Sequence, residues 1–193
     1  MTTWHWVRHG PTHQKTFTGW RDVPADLTDT DRIARLHAHL PADALLVSSD
    51  LSRCVTTADV LHTQTRRRLP HHRDLREIHF GLWDGMHFKD IAARDPVLSR
   101  AYWEKPGDIE PPGGESWNQT AARVNRVVDV MNATHPGAQI IAVAHFGVIL
   151  TQVQRALGVG AYDAMAHKID NLSVTTLHHD DGAWHVDRIN HLP

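Results

Sequence analysis

Two histidines in this 193-residue chain directly follow, or nearly follow, short apolar runs. His9 comes after the run at residues 4–7, and His145 comes after the run at residues 139–144. Each run has the length of a buried strand, and ligands of open parallel sheets bind outside the carboxyl ends of strands. If the two strands are neighbours, both imidazoles reach one crevice. A neutral imidazole near pH 7 suits nucleophilic catalysis, proton transfer or metal binding.

Arg53 is the third residue of interest, because it follows a predicted strand at residues 44–47 and falls in the first turn of a predicted helix. A helix start offers free backbone N–H groups and a positive dipole end, and a guanidinium pairs well with phosphate. Singly, Arg53, His9 and His145 each fit a structural role. Their placement at one edge of the predicted sheet favours an anion site, with phosphate as the natural ligand.

A histidine-rich metal-binding protein without catalysis is a competing hypothesis, since the chain has 17 histidines. The spacing gives it little support. His37 and His39 fall on different faces of a helix, and the adjacent pairs 71–72 and 178–179 point to opposite sides of a strand. No His-Glu-x-x-His sequence occurs, and the single cysteine, Cys54, excludes an intrachain disulfide and a Cys-built zinc site. The sequence predicts no metal site.

The elements that must position these residues alternate between short apolar runs and helical patterns. Strands are predicted at residues 4–7, 44–47, 139–144, 174–178 and 184–189, with a weaker strand from 69 to about 75. Helices are predicted after Thr28, which resembles a capping box with Asp31, after Ser48-Ser49-Asp50, and at residues 88–103 (broken near Pro96), 117–131 and 148–157. This alternation predicts a three-layer α/β/α sandwich with a mostly parallel, mixed sheet, ending in a hairpin across Asp180-Asp181-Gly182.

Composition narrows the class of protein. The chain is 41% hydrophobic and 22% charged, which excludes a disordered or repeat-dominated chain and suits one domain over residues 1–193. The net charge of -2 gives no reason to expect nucleic acid or a membrane surface as partner. No apolar run is long enough to cross a bilayer and no signal peptide is visible, so a cytoplasmic protein is expected.

Four motifs, in order along nearly the whole chain, resemble the histidine phosphatase superfamily, in its first, phosphoglycerate-mutase-like branch. They are Arg8-His9-Gly10, Ser48-Ser49-Asp50-Leu51-Ser52-Arg53, Leu75-Arg76-Glu77 with Gly81-Leu82-Trp83-Asp84-Gly85, and Ala144-His145-Phe146-Gly147. The third motif is also similar to that of α-ribazole phosphatases, although other phosphatases share it.

The resemblance implies a role for each matching residue. His9 would be the nucleophile that carries a phosphoryl group on its ring nitrogen. Arg8, Arg53 and His145 would bind the phosphoryl oxygens and stabilise their charge in the transition state. Glu77 would protonate the leaving oxygen and then deprotonate the attacking water. The implied enzyme is a metal-independent phosphoric monoester hydrolase that needs no cofactor.

Substrate recognition departs from the family pattern. Lys15 and Thr16 occupy the loop where the family often has an asparagine, and Gly19 matches a family position. Phe146 stands where glycine is common, which predicts a bulkier pocket wall. Residues 78–114 correspond to the substrate lid, and aromatics there, Trp83 among them, either line a pocket or fill a small satellite core.

Two other activities fit the same superfamily. Cofactor-dependent phosphoglycerate mutases have longer chains, a larger lid insertion and usually an asparagine where this chain has Gly147. Protein phosphohistidine phosphatases in signalling tend to be shorter and to lack a developed lid. A phosphatase of a phosphorylated small molecule is therefore favoured. Its substrate stays open, and both a monomer and a homodimer are compatible with the sequence.

Overall fold

A computed structural model describes residues 1–193. Its strands are β1 (Thr2–Arg8), β2 (Ala44–Ser48), β3 (Arg66–Arg68), β4 (Gln139–Ala144), β5 (Val174–Asp180) and β6 (Ala183–His191). Its α-helices are α1 (Thr30–His39), α2 (Ser52–Leu61), α3 (Phe88–Arg94), α4 (Pro96–Glu104), α5 (Trp117–Thr134), α6 (Phe146–Leu157) and α7 (Ala161–Met165). Short 3-10 helices lie at Arg73–Leu75 and Gly81–Trp83.

The six strands form one sheet in the order β3-β2-β4-β1-β5-β6. The pairs β1–β4, β2–β4 and β2–β3 are parallel, and β1–β5 and β5–β6 are antiparallel. Arg8 at the end of β1 is in register with Ala144 at the end of β4. The residues that follow these two strands, His9 and His145, therefore leave the sheet side by side.

Helices cover both faces of the sheet, which gives the three predicted layers. Trp4 and Trp6 share one face of β1, stack with their ring centroids 5.1 Å apart, and pack in one core cluster with side chains of α5 and α6. Val7 faces the other way and packs with Leu36 of α1 and Cys54 of α2. None of the helices is both long and apolar enough to cross a membrane.

The predicted strand from residue 69 is wrong in position. The strand ends at Arg68, and the backbone at residues 73–75 forms a 3-10 turn. The reason is Arg66, whose side chain is 2% exposed and donates to the carbonyls of residues 37, 40, 41 and 61. A basic residue buried among carbonyl oxygens conceals the strand from a search for apolar patterns.

Two predicted helix caps are also wrong. Asp29, not Thr28, caps α1 by accepting a hydrogen bond from the backbone N–H of Arg32 at 3.0 Å. At α2 the cap comes from a distant loop, because Asp22 accepts hydrogen bonds from both the backbone N–H and the hydroxyl of Ser52. By contrast, the predicted break near Pro96 is present, with Pro96 at the start of α4.

Candidate active site

A cavity of about 230 Å³ opens at the carboxyl ends of the central strands. Its lining includes Arg8, His9, Arg53 and Glu77, which are four of the five residues predicted to do chemistry. The fifth, His145, contacts this group without lining the cavity. One edge of the sheet thus carries the whole predicted cluster.

His9 is held in one tautomer by its own neighbour. Its Nδ1 lies 2.7 Å from the carbonyl oxygen of Gly10, which only accepts, so Nδ1 carries the proton and Nε2 keeps a free lone pair. Burial, followed by the positive charges of Arg53 and Arg8, lowers the pKa of His9 to about 3. The ring is therefore a neutral base with its Nε2 available at neutral pH.

His145 is completely buried beside His9, with ring centroids 5.2 Å apart and planes at 62°. Arg53 donates its Nε–H to His145 Nδ1 at 3.2 Å, which places the His145 proton on Nε2, 3.3 Å from Cys54 Sγ. Burial and then the charge of Arg53 hold the pKa of His145 well below its usual range. In this arrangement His145 orients the Arg53 guanidinium.

Arg53 is anchored by backbone carbonyls as well as by His145. Its two terminal nitrogens donate to the carbonyls of Arg21, at 3.0 Å, and Gly19, at 2.6 Å. Gly19 thus contacts the predicted anion-binding residue through its carbonyl and does not line the cavity. Burial lowers the pKa of Arg53, but a guanidinium stays charged at any physiological pH.

Arg8 approaches the cavity from the end of β1. Its Nη1 donates to the carbonyl of Ile169 at 2.6 Å, and its guanidinium carbon lies 5.5 Å from the centroid of the Phe146 ring. Its Nε is buried without a hydrogen-bond partner. Phe146 therefore does form a cavity wall, and it also covers one face of Arg8.

Glu77 is 7% exposed, and its carboxylate accepts backbone N–H groups from Gly147 at 3.1 and 3.2 Å and from Ile78 at 2.9 Å. Its own carbonyl accepts from Trp20 Nε1 at 2.7 Å and from Arg123 Nη2 at 2.8 Å. These supporting residues were not predicted. Arg123 has no distinctive signal in the sequence, being one of two arginines on its helix.

The residues predicted to bind substrate divide into two groups. Thr16 and Phe146 line the cavity, whereas Lys15 is exposed outside it. Trp83 does not reach the cavity either, because it is fully buried and donates its indole N–H to Asp95 at 2.8 Å. Trp83 thus packs in the main core cluster together with Trp4 and Trp6, and not in a separate satellite core, while other lid aromatics do line the cavity. The lining residues that the sequence reasoning missed are Thr12, Gln14, Phe17, Thr18, Ile78, Phe80, Pro106, Trp117, Gly147 and Met165.

The structure gathers no group of three His, Cys, Asp or Glu side chains in the geometry of a metal site. Cys54 is buried, and this burial raises the pKa of its thiol far above the usual range. The cluster at the cavity instead combines a neutral imidazole, two guanidinium groups and a carboxylate. This set can bind a phosphoryl group, attack it and exchange a proton with it.

Comparison with known families agrees with the geometry. The family model of the histidine phosphatase superfamily (branch 1) matches residues 5–192. The chain belongs to this superfamily. The resemblance inferred from its four motifs is confirmed.

Two relatives in the histidine phosphatase superfamily show how widely the similarity extends. The bifunctional protein Rv2228c of Mycobacterium tuberculosis is 32% identical over 173 residues, which are 89% of this chain and 45% of that protein. A protein of Arabidopsis thaliana named metal-independent phosphoserine phosphatase is 31% identical over 150 residues, covering 75% of this chain and 61% of the relative. The chain thus spans about half the length of the mycobacterial relative.

The fold of this superfamily member is shared with a solved structure over its whole length. Bacillus stearothermophilus YhfR superposes with a TM-score of 0.90 at 25% identity, covering 100% of this chain and 98% of that one. The predicted α/β/α architecture with its mixed sheet is confirmed.

Proposed function

We propose that the chain is a metal-independent phosphatase that hydrolyses a small-molecule phosphomonoester through a phosphohistidine on His9. The observation that carries the proposal is the state of His9, which is neutral, fixed as the Nδ1–H tautomer, and placed beside Arg8 and Arg53 in a cavity. Its superfamily membership and the phosphatase name of the Arabidopsis relative support the same activity.

In the first step, the lone pair of His9 Nε2 attacks phosphorus and the bond to the leaving oxygen breaks. Glu77, in its protonated form, gives its proton to that oxygen, so the product leaves as an alcohol. Arg8 and Arg53 bind the other phosphoryl oxygens and stabilise their negative charge. His145 keeps Arg53 in the orientation this requires.

In the second step, water attacks the phosphorus of phosphohistidine. Glu77, now ionised, takes one proton from the water, the N–P bond breaks, and its electron pair returns to His9 Nε2. Inorganic phosphate is released and both residues regain their initial states. Neither step needs a metal ion or cofactor to balance.

Residues 78–114 would act as a lid over this reaction. Phe80, Tyr102, Trp103 and Pro106 of this segment line the cavity, which supports the proposal. Exclusion of water by such a cover strengthens the electrostatic interactions inside. A single domain over residues 1–193 and a cytoplasmic location remain predictions.

The proposal is tested with p-nitrophenyl phosphate in the presence of EDTA. The wild-type protein should hydrolyse this ester, and kcat of His9→Ala should be lower by a factor of about 10³ or more. Rapid acid-free quenching with ³²P-labelled substrate should trap an alkali-stable label on wild type and none on His9→Ala. His62→Ala, an exposed histidine at the end of α2, is the matched control and should behave as wild type.

Full turnover by His9→Ala, or dependence on an added metal, would overturn the proposal. Release of inorganic phosphate also separates hydrolysis from phosphoryl transfer within a substrate, which a mutase would perform without net phosphate release.

A further inference from the structure

We infer that the site prefers phosphomonoesters whose leaving group is uncharged and ring-bearing, and disfavours leaving groups that carry a carboxylate or a second phosphate. The inference rests on the proposed phosphatase function and concerns the side of the cavity away from His9. Its basis is the distribution of charge and aromatic surface around the cavity.

Arg8 and Arg53 are the side chains of fixed charge that line the cavity, and Glu77 alternates between its acid and carboxylate forms in the proposed reaction. Both cations belong to the group around His9, where the phosphoryl oxygens would bind. No further Lys or Arg lines the cavity. A second anion on the leaving group would therefore meet no cation of its own.

The other basic residues close in sequence to the cavity-lining residues do not change this distribution of charge. Arg21 does not line the cavity. Its Nη2 donates to side-chain oxygens of the loop at residues 14–18, among them Thr16 Oγ1 at 3.0 Å. Its Nε faces Asp84 at 3.7 Å. Lys15 and Lys105 are exposed and contribute nothing to the lining. Each cation is thus either committed to a partner or directed to solvent.

The remaining wall is predominantly apolar and aromatic. Phe17 lies with its ring centroid 5.1 Å from that of Phe80 and stacks on Trp103 at 5.7 Å. Phe146 and Met165 add to this apolar lining. Flat aromatic walls contact a ring over a large area, and a volume of about 230 Å³ holds a phosphate and one or two rings.

Two hydrogen-bonding groups of this wall lack partners, and both are neutral. Tyr102 Oη and Trp103 Nε1 are buried without a hydrogen bond, and Tyr102 is 3% exposed. Both atoms are closed to solvent, so neither offers a hydrogen bond to a ligand in the cavity. A carboxylate could therefore not recover from them the hydration it would lose on entering.

The test compares two esters of nearly equal shape, 4-carbamoylphenyl phosphate and 4-carboxyphenyl phosphate. Their phenol leaving groups differ little in reactivity, so the charge at the para position is the main difference. We expect kcat/KM to be at least about 10-fold higher for the amide, and 1-naphthyl phosphate to be hydrolysed far better than 3-phosphoglycerate.

A variant tests the wall itself. Trp103→Ala should lower kcat/KM for 1-naphthyl phosphate about 10-fold and leave the inhibition constant of inorganic phosphate unchanged, because phosphate reaches only the cluster around His9. Phe88→Ala is the matched control, since Phe88 is a lid aromatic that is 61% exposed and outside the lining. Trp103→Arg should narrow the difference between the two para-substituted esters.

Equal rates for the two esters, or a preference for the carboxylate, would overturn the inference and leave the proposed phosphatase intact. Failure of the wild-type protein to hydrolyse any of these esters would instead overturn the proposed function, and the inference with it.

Discussion

At the scale of single residues, one hydrogen bond decides which nitrogen of His9 can react. Because Gly10 can only accept at its carbonyl, Nδ1 must donate, and Nε2 is left as the nucleophile. Burial and two neighbouring guanidinium groups keep the ring uncharged. The same positive charges that would bind the phosphoryl group therefore also keep the nucleophile in its reactive form.

We predict that His9 does not titrate near pH 6.5. With its pKa lowered to about 3, the imidazole should remain neutral from pH 8 down to pH 5. Long-range ¹H–¹⁵N NMR spectra of labelled protein should show the Nδ1–H tautomer throughout this range. A His9 midpoint near 6.5 would contradict the electrostatic account of the site.

Gly147 is a position at which the site leaves no room for a side chain. A Cβ added there would lie 2.5 Å from Glu77 Oε1 and 2.7 Å from Ile78 Cδ1, closer than such atoms can approach. We predict that Gly147→Ala displaces the Glu77 carboxylate and lowers kcat about 10-fold or more, with a smaller change in the inhibition constant of phosphate. Gly107→Ala, whose added Cβ would meet nothing closer than 3.7 Å, is the control. Unchanged kcat in Gly147→Ala would refute this account.

At the scale of elements, α5 holds the segment that carries Glu77. Arg123 of this helix donates to the carbonyls of Asp74, Arg76 and Glu77, and it pairs with both carboxylate oxygens of Glu115 at 2.9 Å. The Arg123 side chain is 7% exposed. The 3-10 turn at Arg73–Leu75 and the two residues after it are in this way fixed to a rigid helix.

Arg123→Met should therefore reduce both stability and activity. Removing the guanidinium leaves the carbonyls of Asp74 and Arg76 without this donor and the partly buried Glu115 carboxylate without its ion-pair partner, which should cost about 3 kcal/mol in the free energy of unfolding. Urea denaturation measures this, and kcat should fall in conditions where the variant is folded. Arg126→Met changes an exposed arginine of the same helix and should stay within about 0.5 kcal/mol. Equal stability of the two variants would exclude the supporting role of Arg123.

The elements that sequence patterns predict well are those with a strong apolar signal. The strand at residues 139–144 was predicted to the residue, because every position from Ile140 to Ala144 is buried. The hairpin was predicted because Asp181 and Gly182 both adopt positive φ, which this tight turn requires. The cluster of His9, Arg53, Glu77 and His145 could be predicted because strand ends and family motifs locate it.

What escaped prediction depends on contacts between distant parts of the chain. Asp22 caps α2 from 30 residues away, and no local pattern indicates that pairing. Trp83 and Tyr102 are both lid aromatics of the main core cluster, yet only Tyr102 also lines the cavity. The packing of α3 and α4 decides which aromatic side chain faces the cavity. The spacing of apolar residues along the sequence does not predict that packing.

For the whole molecule, buried neutral histidines make stability depend on pH. His9 and His145 have folded pKa values below the unfolded value of about 6.5, so the unfolded chain binds more protons below that pH. The contribution of these two histidines to the free energy of unfolding is therefore fully present above pH 6.5 and decreases as the pH falls below that value. Each such histidine contributes a slope of about 1.4 kcal/mol per pH unit.

The free energy of unfolding should accordingly fall between pH 6.5 and pH 5, and urea midpoints at several pH values would show it. His9→Gln should have a shallower dependence on pH than wild type, by about one proton. Val60→Ala should keep the wild-type slope, because this exposed side chain binds no proton. A midpoint independent of pH over this range would contradict the prediction.

The order of strands also governs when the molecule can assemble during synthesis. The first strand made, β1, has β4 and β5 as its neighbours, and those strands begin at residues 139 and 174. At translation rates of about 5–20 residues per second, β1 waits roughly 7–30 s for its first partner. Throughout that interval the two tryptophans of β1 have no sheet to join. The nascent chain should therefore depend on the ribosome surface or on chaperones to shield its amino-terminal segment.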